Sequence, residues 1–158
     1  MGNMEKYLNV YFGSQSNYYT NMYKEFLNGR KFTFNVISFF FGPFWFLYRK
    51  LYIQGLLLLL LAAAVEQLGL LVLKHSGLAE NIQTMIYLVL NLSLSMLAGF
   101  MGNYLYMRKM EKNMEEVIVA TENEEQRIKL LQKKGGTWIL AYVIGGLLLI
   151  IVNLFLRK

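Results

Sequence analysis

The side chains able to do chemistry in this sequence are few. All ten acidic residues are glutamates, His75 is the one histidine, and cysteine does not occur. Without cysteine there is no disulfide, thiolate metal site, cysteine nucleophile or palmitoylation, and a lone imidazole cannot build a histidine-based metal site. Spacing assembles no phosphate-cradling glycine loop and no nucleophile–base–acid set. The expectation is therefore a chain that is not an enzyme, with no catalytic, metal-ligating or cofactor-binding residue and no cofactor. Three patterns remain. Glu66 is the one charged residue inside a long apolar run, where burying it costs several kcal/mol (order of magnitude) unless it is neutralised or paired. Asn91, Ser95, Gly99 and Asn103 recur at four-residue intervals, making one small, polar helix face. Arg49 and Lys50 form a basic pair directly before an apolar run.

The elements that must position these residues follow from hydropathy. The chain is 56% hydrophobic and 16% charged, against about 25% charged in an average soluble domain. The shortfall is concentrated in residues 51–73, 85–107 and 138–156, each long enough to cross ~30 Å of hydrocarbon at ~1.5 Å per residue. These runs are apolar on every face, whereas a soluble helix would turn one face to water. They predict three spans of an integral membrane protein. The first run starts far from Met1, so no cleavable leader is expected, and Lys6 stands where a myristoylation motif needs Ser or Thr. Residues 1–50 hold six basic residues and residues 108–134 hold seven, leaving Lys74, Arg157 and Lys158 for the other side. By the positive-inside rule the N-terminus is inside and the C-terminus outside. The net charge of +6 then belongs to topology and to contact with anionic lipid rather than to nucleic acid.

Residues 1–31 read as an amphipathic cytoplasmic leader. Within it, Ser14 to Asn28 predicts a helix, with Tyr19, Met22, Tyr23, Phe26 and Leu27 on one stripe, Ser14 or Ser16 as cap and Asn28-Gly29 as stop. That stripe is expected to rest on the bilayer surface or on the membrane domain. Residues 32–50 hold the aromatic run FNVISFFFGPFWFLY and the chain's single proline, Pro43. Asn35 can cap a short helix through Phe41, and Gly42-Pro43 breaks and restarts it. Arg30 and Lys31 before the run, and Arg49 and Lys50 after it, both favour the cytoplasm. A re-entrant or in-plane hairpin satisfies both pairs, and a span does not.

Residues 108–136 read as charged cytoplasmic helices. Met107, Met110, Met114 and Val117 or Ile118 carry a stripe on from the second span, so that helix should project from the bilayer. Thr121 and Glu124 fit a capping box for the next helix, which has glutamates in its first turns and Lys133 and Lys134 in its last.

The stretch FNVISFFFGPFWFLYRKLY, the later GNYLY, the KGGT before the last apolar run and the leader YYTNMYKEFLNGRKFTFN together resemble the bacterial domain of unknown function 2628 family. The motif residues are Asn35, Phe41, Gly42, Pro43, Trp45, Tyr48, Arg49, Lys50, Gly102, Asn103 and Tyr106. The resemblance implies membrane location and the aromatic hairpin, and supplies no activity.

The reading is therefore an all-α, three-span protein of the bacterial inner membrane, 158 residues forming a single membrane domain. Its expected function is that of a scaffold or accessory subunit engaging a protein partner, a second copy or anionic lipid at the cytoplasmic face. The alternative is a small oligomeric transporter or channel using the polar face of the second span and Glu66. The Asn91–Asn103 face packs helices or lines a pathway. Arg49-Lys50 anchors topology or clamps anionic lipid. Glu66 orients two helices through a hydrogen bond or serves as a proton or cation site. An antiparallel second span would bring Glu66 level with Asn91, each seven residues (~10 Å) from the outer surface, with Gln67, His75 and Asn153 as further partners.

Overall fold

The computed structural model describes residues 2–140, together with Val143 and Leu147. Among these residues every regular element is helical: α1 Gly2–Phe12, α2 Ser16–Leu27, α3 Val36–Phe41, α4 Pro43–Tyr48, α5 Tyr52–His75, α6 Glu80–Ala120 and α7 Glu124–Lys134. Two of them, α5 with 24 residues and α6 with 41, are long and apolar enough to cross a membrane. Most of the third expected span, 138–156, lies outside the described residues.

α6 organises the molecule. At ~1.5 Å per residue it is ~60 Å long, about twice the thickness of a hydrocarbon core. Its two halves have different surroundings. In the first half Met85, Leu88, Val89 and Leu92 are exposed, and α5 runs alongside. In the second half Tyr106, Met107, Met110, Met114 and Val117 are buried under α1, α2 and α7. Burying each such side chain contributes about 1.5–3 kcal/mol, enough to hold three short helices on one long one. α3 crosses α6 where the two halves meet, and α4 packs on α5.

Local chemistry explains the breaks. Asn35, in extended conformation, accepts a 2.8 Å hydrogen bond from the Ser38 amide and so starts α3. Gly42 has φ 47° and ψ −126°, a conformation that side chains exclude, and Pro43 restarts the helix at its first position. The end of α4 is a Schellman motif. Leu51 N–H donates to Phe46 O at 2.8 Å and Lys50 N–H to Leu47 O at 2.9 Å, with Lys50 itself left-handed at φ 59°.

Three expectations need correction. Residues 2–12, part of the amphipathic leader but not read as a helix, form α1, because Tyr7, Leu8, Tyr11 and Phe12 lie on one helical face and are buried. No serine caps α2: a 3-10 turn at Gly13–Gln15 leads directly into it, and the Ser16 amide bonds to Gly13 O instead. Asn123 caps α7 in place of Thr121, accepting from the Gln126 amide at 3.1 Å, while Thr121 ends α6 in extended conformation.

Candidate functional site

Asn35 at the start of the hairpin and Asn103 on α6 meet in a buried polar cluster. Asn35 Nδ2 donates to Asn103 Oδ1 at 2.8 Å, and Asn103 Nδ2 donates to Tyr18 Oη at 3.1 Å and Thr33 Oγ1 at 3.0 Å. The Asn35 amide donates to Gly99 O at 2.9 Å, and Ser38 Oγ to Ala98 O at 2.9 Å. Glycine permits this approach. A Cβ on Gly102 would stand 2.8 Å from Ser38 Oγ and 3.3 Å from the Trp45 ring, and one on Gly99 would meet the Phe34 ring at 2.6 Å. The four-residue face read in the sequence is thus divided. Gly99 and Asn103 are buried against the hairpin and Ser95 is half-buried. Asn91 is exposed and donates its amide to Tyr87 O of its own helix at 2.9 Å.

Arg49 lies beside this cluster, 1% exposed. Its guanidinium carbon is 4.4 Å from the ring centre of Tyr19, 5.1 Å from that of Tyr106 and 5.5 Å from that of Tyr48. Nη2 donates to Gln15 Oε1, and among the described residues neither Nε nor Nη1 has an acceptor. Arginine stays charged under all biological conditions. Among the described residues no carboxylate pairs with it, so the π faces and the Gln15 amide carry its stabilisation, each face contributing up to ~2 kcal/mol when desolvated. The neighbouring phenols cannot serve as counter-anions at neutral pH. Burial pushes Tyr11 up to about 12, outweighing its hydrogen bond from Asn113 and the Arg49 charge, and Tyr19 is raised by burial in the same way. The expectation that the Arg49 side chain is free to clamp a lipid is therefore corrected, since it is buried within the protein. Its long side chain runs inward because the box of tyrosines on α2 and α6 offers it a partner there.

Lys50 and Lys109 sit at the rim. Lys109 Nζ donates to Arg49 O at 3.2 Å and Lys50 O at 2.6 Å, at the end of α4. Lys50 Nζ donates to Lys133 O at 2.9 Å and Gly135 O at 2.5 Å, at the end of α7. Cations at helix C-termini are favoured by the dipole. Gly135 is held close as well, since a Cβ there would run into the Tyr11 carbonyl. Other residues that carried the family resemblance are dispersed: Trp45 is buried against Tyr106 and Phe46, Tyr48 is half-buried, and Phe41 is exposed on α3.

Glu66 is not brought to Asn91. Both are exposed, and contact between α5 and α6 at this level is made by Gly69 and Tyr87, 3.3 Å apart once a Cβ is placed on the glycine. His75 bonds to Leu71 O of its own helix, Gln67 is exposed, and Asn153 lies outside the described residues. Among the described residues no three His, Cys, Asp or Glu side chains gather closely enough to hold a metal ion.

Sequence reasoning missed Gln15 and Tyr11, and it placed Tyr19 on a stripe resting on the bilayer surface or on the membrane domain without bringing it to Arg49. The signal available was the Met107–Val117 stripe, which needs a covering partner, and the leader supplies it together with α7. No curated protein and no solved structure matches this chain. A family model does, over residues 14–112, and that stretch spans the hairpin, the Arg49 box and the crossing on α6. The chain belongs to the family described as "Protein of unknown function (DUF2628)".

Proposed function

We propose that this protein is a non-enzymatic scaffold of the bacterial inner membrane, whose helical layer engages a protein partner or anionic lipid on the cytoplasmic side. In this reading α5 and the first half of α6 cross the bilayer, residues 138–156 form a third span, and the N-terminus is inside and the C-terminus outside. The α3–α4 hairpin enters the membrane from the cytoplasmic side and returns. The observation that carries the reading is the divided environment of α6. One rigid helix is bare and apolar over one half and packed by α1, α2 and α7 over the other. A helix built this way fixes a folded layer at a set height above the bilayer. The outward side chains of α3 support the hairpin placement: Val36, Ile37, Phe40 and Phe41 are all exposed, Phe40 at 74%, a cost that hydrocarbon removes and water does not. The layer also presents Val119, 88% exposed and distant from the apolar runs, as a contact for a partner.

A second reading, an oligomeric transport path, is favoured by one observation: Glu66 is exposed on α5 within an apolar run. A carboxyl in hydrocarbon is unfavourable by about 2.5–3.5 kcal/mol on insertion scales, which drives association with whatever covers it. Reconstitution separates the two. The scaffold reading predicts no proton or cation flux through proteoliposomes, and a discrete cross-linked adduct from a photoreactive residue at Val119 in native membranes. Flux that Glu66→Gln abolishes would replace the scaffold with transport.

A further inference from the structure

Below the hairpin, where α5 begins, a pocket of about 500 Å³ opens between α5 and α6. Four basic side chains, Lys50, Arg108, Lys109 and Lys112, line it together with one carboxylate, Glu116. We propose that this pocket binds the phosphate headgroup of an anionic phospholipid, with the acyl chains lying along the exposed face of α5. The inference rests on the membrane placement of α5 and α6 and names the lipid that the scaffold engages.

Charge is the first argument. Arg108 has Glu111 at 3.4 Å, and Lys112 has Glu116 at 4.0 Å, which itself is shared with Lys134. Among the described residues Lys50 and Lys109 have no carboxylate partner and donate only to backbone carbonyls. Two positive charges are therefore uncompensated in one pocket, and each ammonium has used two of its three N–H donors. One donor from each is left for an anion. The Lys109 ammonium is destabilised by burial and by the charges of Lys50 and Lys134, so a negative ligand relieves a repulsion already present.

Position is the second argument. The pocket floor includes Tyr52 and Ile53, the first residues of α5, and both are exposed. Leu56, Leu57 and Leu60 continue that exposed face along the helix. A ligand with a single anionic end and a long apolar body matches this arrangement, whereas a free anion uses the charges and leaves the apolar surface bare. Tyr52, Ile53 and Gln54 of the first turn of α5 line the pocket too, and Leu51 supplies no side-chain cap to that turn. Basic pockets at the cytoplasmic ends of membrane helices suit anionic headgroups in general.

The test uses the full chain in nanodiscs and in detergent, with phosphatidylglycerol, phosphatidylcholine and glycerol phosphate as probes, read by native mass spectrometry and by titration of lipid-induced thermal shift. The R108Q/K112Q variant removes two pocket charges and leaves Lys50 and Lys109, which hold the fold. Wild type should retain phosphatidylglycerol over phosphatidylcholine. Each lost charge should weaken that binding about fivefold, for ~1 kcal/mol per basic residue near an anionic surface. The control variant K129Q/K133Q should leave it unchanged. Equal retention of the two lipids, an equal loss in the control, or binding of glycerol phosphate as tight as that of the lipid would each overturn the proposal. Alkaline carbonate extraction keeps the outcomes apart. A protein that stays in the membrane without lipid preference defeats the headgroup site alone, and one that is extracted defeats the membrane reading beneath it.

Discussion

Replacing Asn103 by leucine should unseat the aromatic hairpin, and the size of the effect follows from its bonds. Asn103 accepts from Asn35 at 2.8 Å and donates to Tyr18 at 3.1 Å and Thr33 at 3.0 Å. Tyr18 is exposed and Thr33 half-buried, so their hydroxyls turn to water when the amide is lost. Asn35 is 2% exposed and cannot, leaving a buried donor without an acceptor. One orphaned buried group costs about 1–3 kcal/mol, and the other two bonds about 0.5–1.5 kcal/mol each before water compensates. A total of about 2–4 kcal/mol corresponds to roughly 5–15 °C in Tm for a chain of this size. Trp45 packs against the same crossing on α6, so its fluorescence in detergent-solubilised protein reports the melt directly. The pair can be isolated by a double-mutant cycle of Asn35→Ala and Asn103→Ala, with an expected coupling of about 0.5–3 kcal/mol. A Tm unchanged within about 1 °C, or singles that simply add, would refute the idea that this amide pair seats the hairpin.

Three further outcomes are expected. Gly102→Val should destabilise by at least about 1–3 kcal/mol, because a Cβ there lies 2.8 Å from Ser38 Oγ and 2.9 Å from Ser38 Cβ; retention of the wild-type Tm would show that α3 does not pack here. Lys50→Gly should melt higher than Lys50→Ala by about 1 kcal/mol, since both lose the tie to α7 and only glycine relieves the left-handed backbone at φ 59°; the reverse order would contradict the Schellman geometry. Stability should rise with pH from about 8 toward 10. Lys109 is lowered to about 8 by burial and then by Lys50 and Lys134, so between there and its ordinary 10.5 the unfolded chain binds the extra proton. Lys50, lowered by burial, adds to the same slope. Above pH 10 stability should fall, because Tyr11, Tyr19 and Tyr23 are raised by burial and ionise more readily unfolded. A Tm that declines steadily from pH 8 would show that Lys109 is not held among cations.

The elements that obey one strong local rule were legible from sequence. Uniform apolarity marks α5 and the first half of α6, Asn35 and Gly42-Pro43 mark the two pieces of the hairpin, and the methionine stripe marks α6 beyond its apolar run. What was not legible depends on which partner a face chooses. Tyr19 is part of an amphipathic stripe whether it meets lipid or protein, and only the three-dimensional arrangement puts it over Arg49. Arg49 itself carries a local pattern, a basic residue at the foot of an apolar run, that points to the surface. Tyrosines distant in sequence override the pattern by offering π faces in the interior. α1 was hidden because its polar composition masks four apolar side chains at helical spacing, and periodicity over eleven residues is a weak signal without knowledge of what it covers. Glu66 and Asn91 lie the same number of residues from the loop, yet both are exposed, because residue count fixes height along a helix and not the rotation about its axis.

The central claim is that the bilayer lies around α5, the first half of α6 and the outer face of α3, with the helical layer on one side. The absence of cysteine makes the direct measurement simple, since single cysteines can be placed without removing any. Ser76→Cys in the loop before α6, Glu125→Cys on α7 and Phe40→Cys on α3 would be challenged with a membrane-impermeant maleimide, in spheroplasts and in inside-out vesicles. The account predicts that position 76 reacts only from outside, position 125 only from inside, and position 40 from neither side until detergent is added. Labelling of positions 76 and 125 from the same side, or ready labelling of position 40 from water, would contradict it.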